Sequence, residues 1–157
     1  SEMALAGFTG SEIGNKYPRD PQELKKELDL RGMRIASRWF SSFLVDKPYE
    51  DTEREFKREL DFLAAVGANR INVSEQSRSI QGLMDTPVLA GRKPVMTEAE
   101  WARFTQGLDR LGKVASERGF KMCFHHHMGT VIQSAEETDR MMALCFRTQT
   151  KRIGITE

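Results

Sequence analysis

The three histidines of this chain stand in one run, Cys123-Phe124-His125-His126-His127-Met128-Gly129-Thr130. In an extended segment successive side chains alternate between faces, so His125 and His127 share one face and His126 takes the other. Two imidazoles on one face, with carboxylates from neighbouring strands, can bind a divalent cation or hold a substrate hydroxyl. The plainer alternative is hydrogen bonding at a strand end. Three in a row at a ligand-binding rim favour chemistry for His125 and His127, whereas His126 is expected against the helix layer. Gly129 suits a sharp turn directly after the run.

Four further residues sit where short apolar runs end: Glu12, Trp39, Glu75 and Gln76. Glu12 and Glu75 each serve equally well as a metal ligand, a base, or a solvated group beside a loop. Trp39 offers a flat ring to the CH faces of a sugar-sized ligand, or ordinary helix packing. Arg78 and Asp85 lie in a loop, where charges are usually just solvated.

For these residues to meet, the elements between them must carry them to one rim. Residues 8–14 fit a short strand, and Asp20 then caps a helix with Pro21 at its first position. Leu24 and Leu28 share one face of it, and Gly32 ends it. A second strand is expected over 34–40 and a second helix over 49–66, with Phe56, Leu60, Leu63 and Ala64 as its apolar stripe. A third strand covers 70–74, followed by a long loop over 77–96. Thr97 and Glu100 form a capping box for a third helix, whose buried face holds Trp101, Phe104, Leu108, Leu111 and Ala115. The fourth strand is expected over 121–126, and Ser134 with Glu137 opens a last helix reaching Leu144.

Such alternation argues for an α/β fold with a parallel sheet covered by helices, either doubly wound or part of a (β/α)8 barrel. No GxGxxG or Walker loop follows any strand, which weakens the nucleotide-binding version. In both folds ligands gather at the C-terminal ends of the strands, where Glu12, Trp39, Glu75, Gln76 and the histidines fall.

The 157 residues include 24 basic and 23 acidic side chains, a formal charge of +1 that points to no nucleic-acid partner. No apolar run is long enough to span a membrane, and no signal peptide is visible. Cys123 and Cys145 belong to no CxxC pair and read as buried free thiols in a reducing cytoplasm. The opening Ser1-Glu2-Met3-Ala4-Leu5 reads like the last turns of a helix already under way, so an internal fragment is expected. Residues 1–157 are expected to form a single partial domain, with 144–157 losing the pattern.

The segment CFHHHMGTVIQSAEETDRMM resembles the fifth strand and following helix of the inosose dehydratases. The resemblance extends through GFTGSEIGNKYPRDPQELKKELDLRGMRIASRWFSSF, VSEQSRSIQGLMD and KPVMTEAEW, from Ser1 to about Ala143. It implies about four consecutive βα units of a xylose-isomerase-like TIM barrel. It also implies dehydration of 2-keto-myo-inositol (scyllo-inosose) in myo-inositol catabolism, with manganese or cobalt as the metal and glutathione as a further requirement. On individual residues it implies His125 as metal ligand, where superfamily relatives have a Glu, and His127 as the proton carrier, with Glu75 a second catalytic candidate. Glu12, Trp39 and Gln76 match positions lining the barrel mouth, where they would contact a small polyol-ketone.

The remaining metal ligands of that superfamily lie on strands this chain does not carry, and the tail 144–157 does not resemble the family. A four-strand piece leaves unpaired sheet edges, so self-association is expected. Two other readings stand beside the dehydratase: a sugar isomerase or epimerase of the same superfamily, and a catalytically inactive half-barrel acting as a structural or assembly unit.

Overall fold

A computed structural model of the chain describes residues 2–89 and 91–145. After a short helix α1 (Glu2–Leu5), strands and helices alternate: β1 (Gly10–Glu12), α2 (Pro21–Asp29), β2 (Arg34–Ser37), β3 (Trp39–Ser42) and α3 (Tyr49–Ala65). They continue as β4 (Arg70–Glu75), α4 (Glu98–Glu117), β5 (Lys121–Phe124) and α5 (Ala135–Cys145).

The helix starts follow from local chemistry. Asp20 accepts from the amides of Gln22 and Glu23 at 2.9 and 2.8 Å, which satisfies two otherwise free donors of α2. Thr97 and Glu100 form a reciprocal capping box on α4. Ser134 and Glu137 repeat it on α5, with Glu137 N donating to Ser134 Oγ at 3.3 Å and Ser134 N to Glu137 Oε2 at 2.9 Å. Each main helix turns one apolar stripe inward: Phe56, Leu60 and Leu63 from α3, and Phe104, Leu108 and Leu111 from α4. These pack on Ile71 and Val73 of β4, both fully enclosed. Burying one such side chain contributes roughly 1.5–3 kcal/mol, so this layer dominates the stability of the fold.

All strand pairs are parallel, but the strands form two sheets, β1-β2 and β3-β4-β5. The single strand expected over 34–40 is therefore two, broken at Arg38. The break falls where the pairing partner changes: β2 pairs with β1, and β3 pairs with β4. At the break the Arg38 guanidinium leaves the sheet for α3, 2.7 Å from Glu59 and over the Phe62 ring. The first strand is also shorter than 8–14, and β5 stops at Phe124, just before the histidines.

Register puts Trp39, Asn72 and Cys123 side by side, with Ser41 beside Ser74 in the next layer. These residues alternate with Phe40, Val73 and Phe124, which face the helices. The sheet thus has one apolar, covered face and one polar, open face. Cys123 lies on the open face and is exposed, which corrects the expectation of two buried thiols. Cys145 is half-buried, and burial, aided by Asp109, pushes its thiol up to about 12. No helix among the described residues is long and apolar enough to cross a membrane. Of the tail over 144–157, Leu144 and Cys145 end α5 and the rest lies outside the described residues.

Candidate active site

On the open face, Asn72 is the hub of a polar cluster. Its Nδ2 donates to Glu12 Oε1 at 3.0 Å and to Ser37 Oγ at 3.1 Å, while Ser37 Oγ lies 3.4 Å from the same carboxylate oxygen. Trp39 Nε1 donates to Ser41 Oγ at 3.0 Å, and Gln76 Nε2 to Ser74 Oγ at 2.9 Å. Glu12, Trp39 and Gln76 are therefore each held by a polar neighbour that the sequence did not single out: Asn72 and Ser37 for Glu12, Ser41 for Trp39, and Ser74 for Gln76. A signal was present: in the string RINVSEQ, polar residues recur at 72, 74 and 76, the period of one strand face.

The histidine run continues the same face past the end of β5. His125 N donates to Val73 O at 2.8 Å, extending the ladder by one step. The rings of His125 and His127 stack with centroids 5.7 Å apart and planes at 24°. Trp39 meets both edge-on, at 5.0 and 5.7 Å. His126 turns the other way and lines a groove with Met122, Phe124 and Met141 between β5, α4 and α5.

Behind the rings the chain turns tightly. The Thr130 hydroxyl lies 2.8 Å from His127 O and 3.0 Å from Ile132 O, and Gly129 has φ 78°. A Cβ on Gly129 would stand 3.2 Å from Gln81 N, Ile80 Cγ1 and Val88 Cγ1. Glycine therefore supplies both the left-handed backbone and the space for the long loop to dock. Ile80 N donates to Gly129 O at 3.0 Å, and Gln81 Nε2 lies 3.3 Å from His127 Nε2.

Glu75 is placed differently from the catalytic position expected for it. It faces the helix side of β4 and is fully enclosed. Oε2 accepts from Ser42 Oγ at 2.7 Å and from Leu44 N at 3.0 Å, and Oε1 from Ser77 N at 3.2 Å. Burial pushes its carboxyl above the ordinary range, against the hydrogen bonds from Ser77, Ser42 and Leu44. It braces the chain leaving β3 against the chain leaving β4, out of reach of a ligand on the open face. Arg78 is likewise an anchor: with φ 54° it lies 3.0 Å from Glu100 and 3.5 Å from Asp46. Asp85 accepts from the Thr86 hydroxyl at 3.3 Å within the loop.

Among the described residues no three histidine, cysteine, aspartate or glutamate side chains come close enough together to hold a metal ion. Catalytic transition-metal sites commonly take three protein ligands. His125 can offer one donor, but no two further ligating side chains gather beside it, so a metal does not fit the described residues alone.

A parallel half-sheet with its polar residues at the C-terminal strand ends matches one family over nearly the whole sequence: the model described as Xylose isomerase-like TIM barrel covers residues 1–156. The chain belongs to that family. Its similarity within the xylose isomerase-like barrels is to inosose dehydratases. It is 59% identical to that of Clostridium perfringens over 144 residues, 92% of this chain and 48% of the relative. With that of Geobacillus thermodenitrificans it is 56% identical over 155 residues, 99% of this chain and 51% of the relative. The chain thus spans about half the length of the curated relatives it matches. A xylose isomerase-like TIM barrel protein from Mycobacterium smegmatis, solved in complex with magnesium, superposes with a TM-score of 0.68 at 16% identity, over 90% of this chain and 50% of that one. At that identity the likeness is one of fold, and it agrees with the partial, unclosed barrel seen here.

Proposed function

We propose that this chain carries the substrate-facing strand ends of an inosose dehydratase, a cytoplasmic hydro-lyase that removes water from 2-keto-myo-inositol in myo-inositol catabolism. The observation that carries the reading is the 56% identity to an inosose dehydratase over 155 residues, a span that takes in the polar face and the histidine run. The geometry agrees with a polyhydroxylated ring ketone. Trp39 gives a flat wall, and Glu12, Ser37, Ser41, Asn72 and Gln76 give donors and acceptors for ring hydroxyls.

Water loss beta to a ketone begins with removal of the alpha-carbon proton, which leaves an enediolate. His127 is the proton carrier: it takes that proton at a ring nitrogen, and a proton delivered to the beta hydroxyl lets it leave as water. His125, stacked beside it, holds a substrate oxygen or gives one ligand to a manganese or cobalt ion. Such an ion requires further donors from outside the described residues, and glutathione is carried only by the family resemblance. Glu75 keeps a bracing role in this reading. The epimerase alternative rests on likeness of fold alone, as with a D-psicose 3-epimerase from Clostridium cellulolyticum at 17% identity.

Self-association belongs to the same proposal. Among the described residues β1 and β5 each keep one unpaired edge, and a groove of about 490 Å³ beside β5 is lined by Met122, Phe124, Met141 and Met142. A purely monomeric chain in sedimentation would contradict it.

The test of the function is a chimera joining this chain to the C-terminal half of an inosose dehydratase, supplied with manganese and 2-keto-myo-inositol. Proton NMR of the product is expected to show loss of water. Inversion at a ring carbon without water loss would replace the dehydratase with an epimerase.

A further inference from the structure

We infer that Gln81, on the loop after β4, is a positioning residue that holds His127 as the neutral tautomer with its lone pair on Nε2. The inference rests on the reading of His127 as the proton carrier and names what prepares it.

Two contacts define the ring. His127 Nδ1 lies 3.1 Å from the carbonyl oxygen of Met128. A carbonyl oxygen only accepts, so Nδ1 carries the hydrogen. Nε2 then holds the lone pair, and the partner 3.3 Å away is the Nε2 amide of Gln81, which donates. Each contact requires the same tautomer, and the second hydrogen bond of an imidazole decides which nitrogen is free to act. The free nitrogen is the one on the side of the loop, and a substrate C–H must displace the Gln81 amide to reach it.

Gln81 is built into place rather than left on a mobile loop. Ile80 N donates to Gly129 O at 3.0 Å, and Gly129 leaves no Cβ to hold the loop away. Gln81 N donates to Ser79 Oγ at 3.2 Å, and Ser79 N to Gln76 O at 3.1 Å. The root of the loop is fixed by the buried Glu75, through Ser77 N, and by Arg78 between Asp46 and Glu100. The loop thus couples the end of β4 to the histidine run that follows β5.

The experiment is nitrogen-15 NMR of the histidine rings in this chain, at a pH where the imidazoles are neutral. The expected result is a protonated Nδ1 and an unprotonated Nε2 for His127. Gln81→Leu leaves only the Met128 carbonyl to fix the ring and is expected to weaken that preference, giving a measurable share of the Nε2-protonated tautomer. Gln81→Glu, which places an acceptor where the donor was, is expected to move the proton to Nε2. A wild-type ring protonated at Nε2, or a Gln81→Leu ring identical to wild type, overturns the inference. Gln81 is exposed, and an unchanged backbone amide spectrum in the variants certifies the fold. The ring signals need no turnover, so a chimera that fails to dehydrate while His127 shows the expected tautomer counts against the proposed function alone.

Discussion

Asn72 holds Glu12 across a gap that no strand pairing closes: Nδ2 to Oε1 is 3.0 Å, between residues 60 apart in the chain. The β1-β2 pair and the β3-β4-β5 sheet share no ladder, yet Asn72 touches both sides of the break, its backbone amide reaching Arg38 O at 2.9 Å. Asn72→Ala should therefore cost about 1–2 kcal/mol, the value of a hydrogen bond to a charged partner at a partly solvated site. Asn72→Asp should cost more at neutral pH, because it sets a second carboxylate against Glu12. Urea denaturation of the three proteins ranks them, and an Asn72→Asp variant as stable as wild type would contradict the assignment.

Gly129 is where the loop docks. An alanine there takes on the left-handed backbone, at about 1–2 kcal/mol, and meets Ile80, Gln81 and Val88. Gly129→Ala should release the loop before the core, so hydrogen exchange at the Ile80 amide should accelerate while Ile71 and Val73 stay protected. Equal protection of Ile80 in both proteins would show that the loop is held elsewhere.

Glu75 gives a pH signature. Burial raises its carboxyl in the folded chain, so the folded state binds the proton more tightly than the unfolded one. That contribution is full below the ordinary carboxylate range and is lost as pH rises through the raised value. In Glu75→Gln an amide NH2 must face Leu44 N or Ser77 N, leaving one buried donor unpaired at about 1–3 kcal/mol. The variant should be less stable than wild type at acid pH, with the gap narrowing as pH rises, since only the wild type pays for ionisation. A gap that stays flat or widens with pH contradicts the burial of an ionisable group here.

Local chemistry made much of this readable from the sequence. Asp20, the Thr97–Glu100 pair and the Ser134–Glu137 pair mark helix starts by residue type and spacing, and each is a cap in the structure. The parity of the histidines likewise needs only the alternation of an extended chain. What was not readable depends on distant partners. The break at Arg38 comes from β2 and β3 pairing with different strands. Glu75 ends as a brace because Ser42 and Leu44, over thirty residues earlier, bring donors to it. Asn72 was hidden beside the more conspicuous Glu75, and Gln81 in a loop whose docking depends on the missing Cβ of Gly129.

The most direct measurement of the central claim is the rate of water loss from 2-keto-myo-inositol by the chimera, wild type against His127→Gln. Glutamine keeps a polar group of similar reach but cannot take and return a proton. General acid–base catalysis contributes on the order of 10²–10⁴ in rate, so a fall of that size in kcat with a smaller change in KM is predicted. A His127→Gln chimera that dehydrates the ketone as fast as wild type would contradict the account.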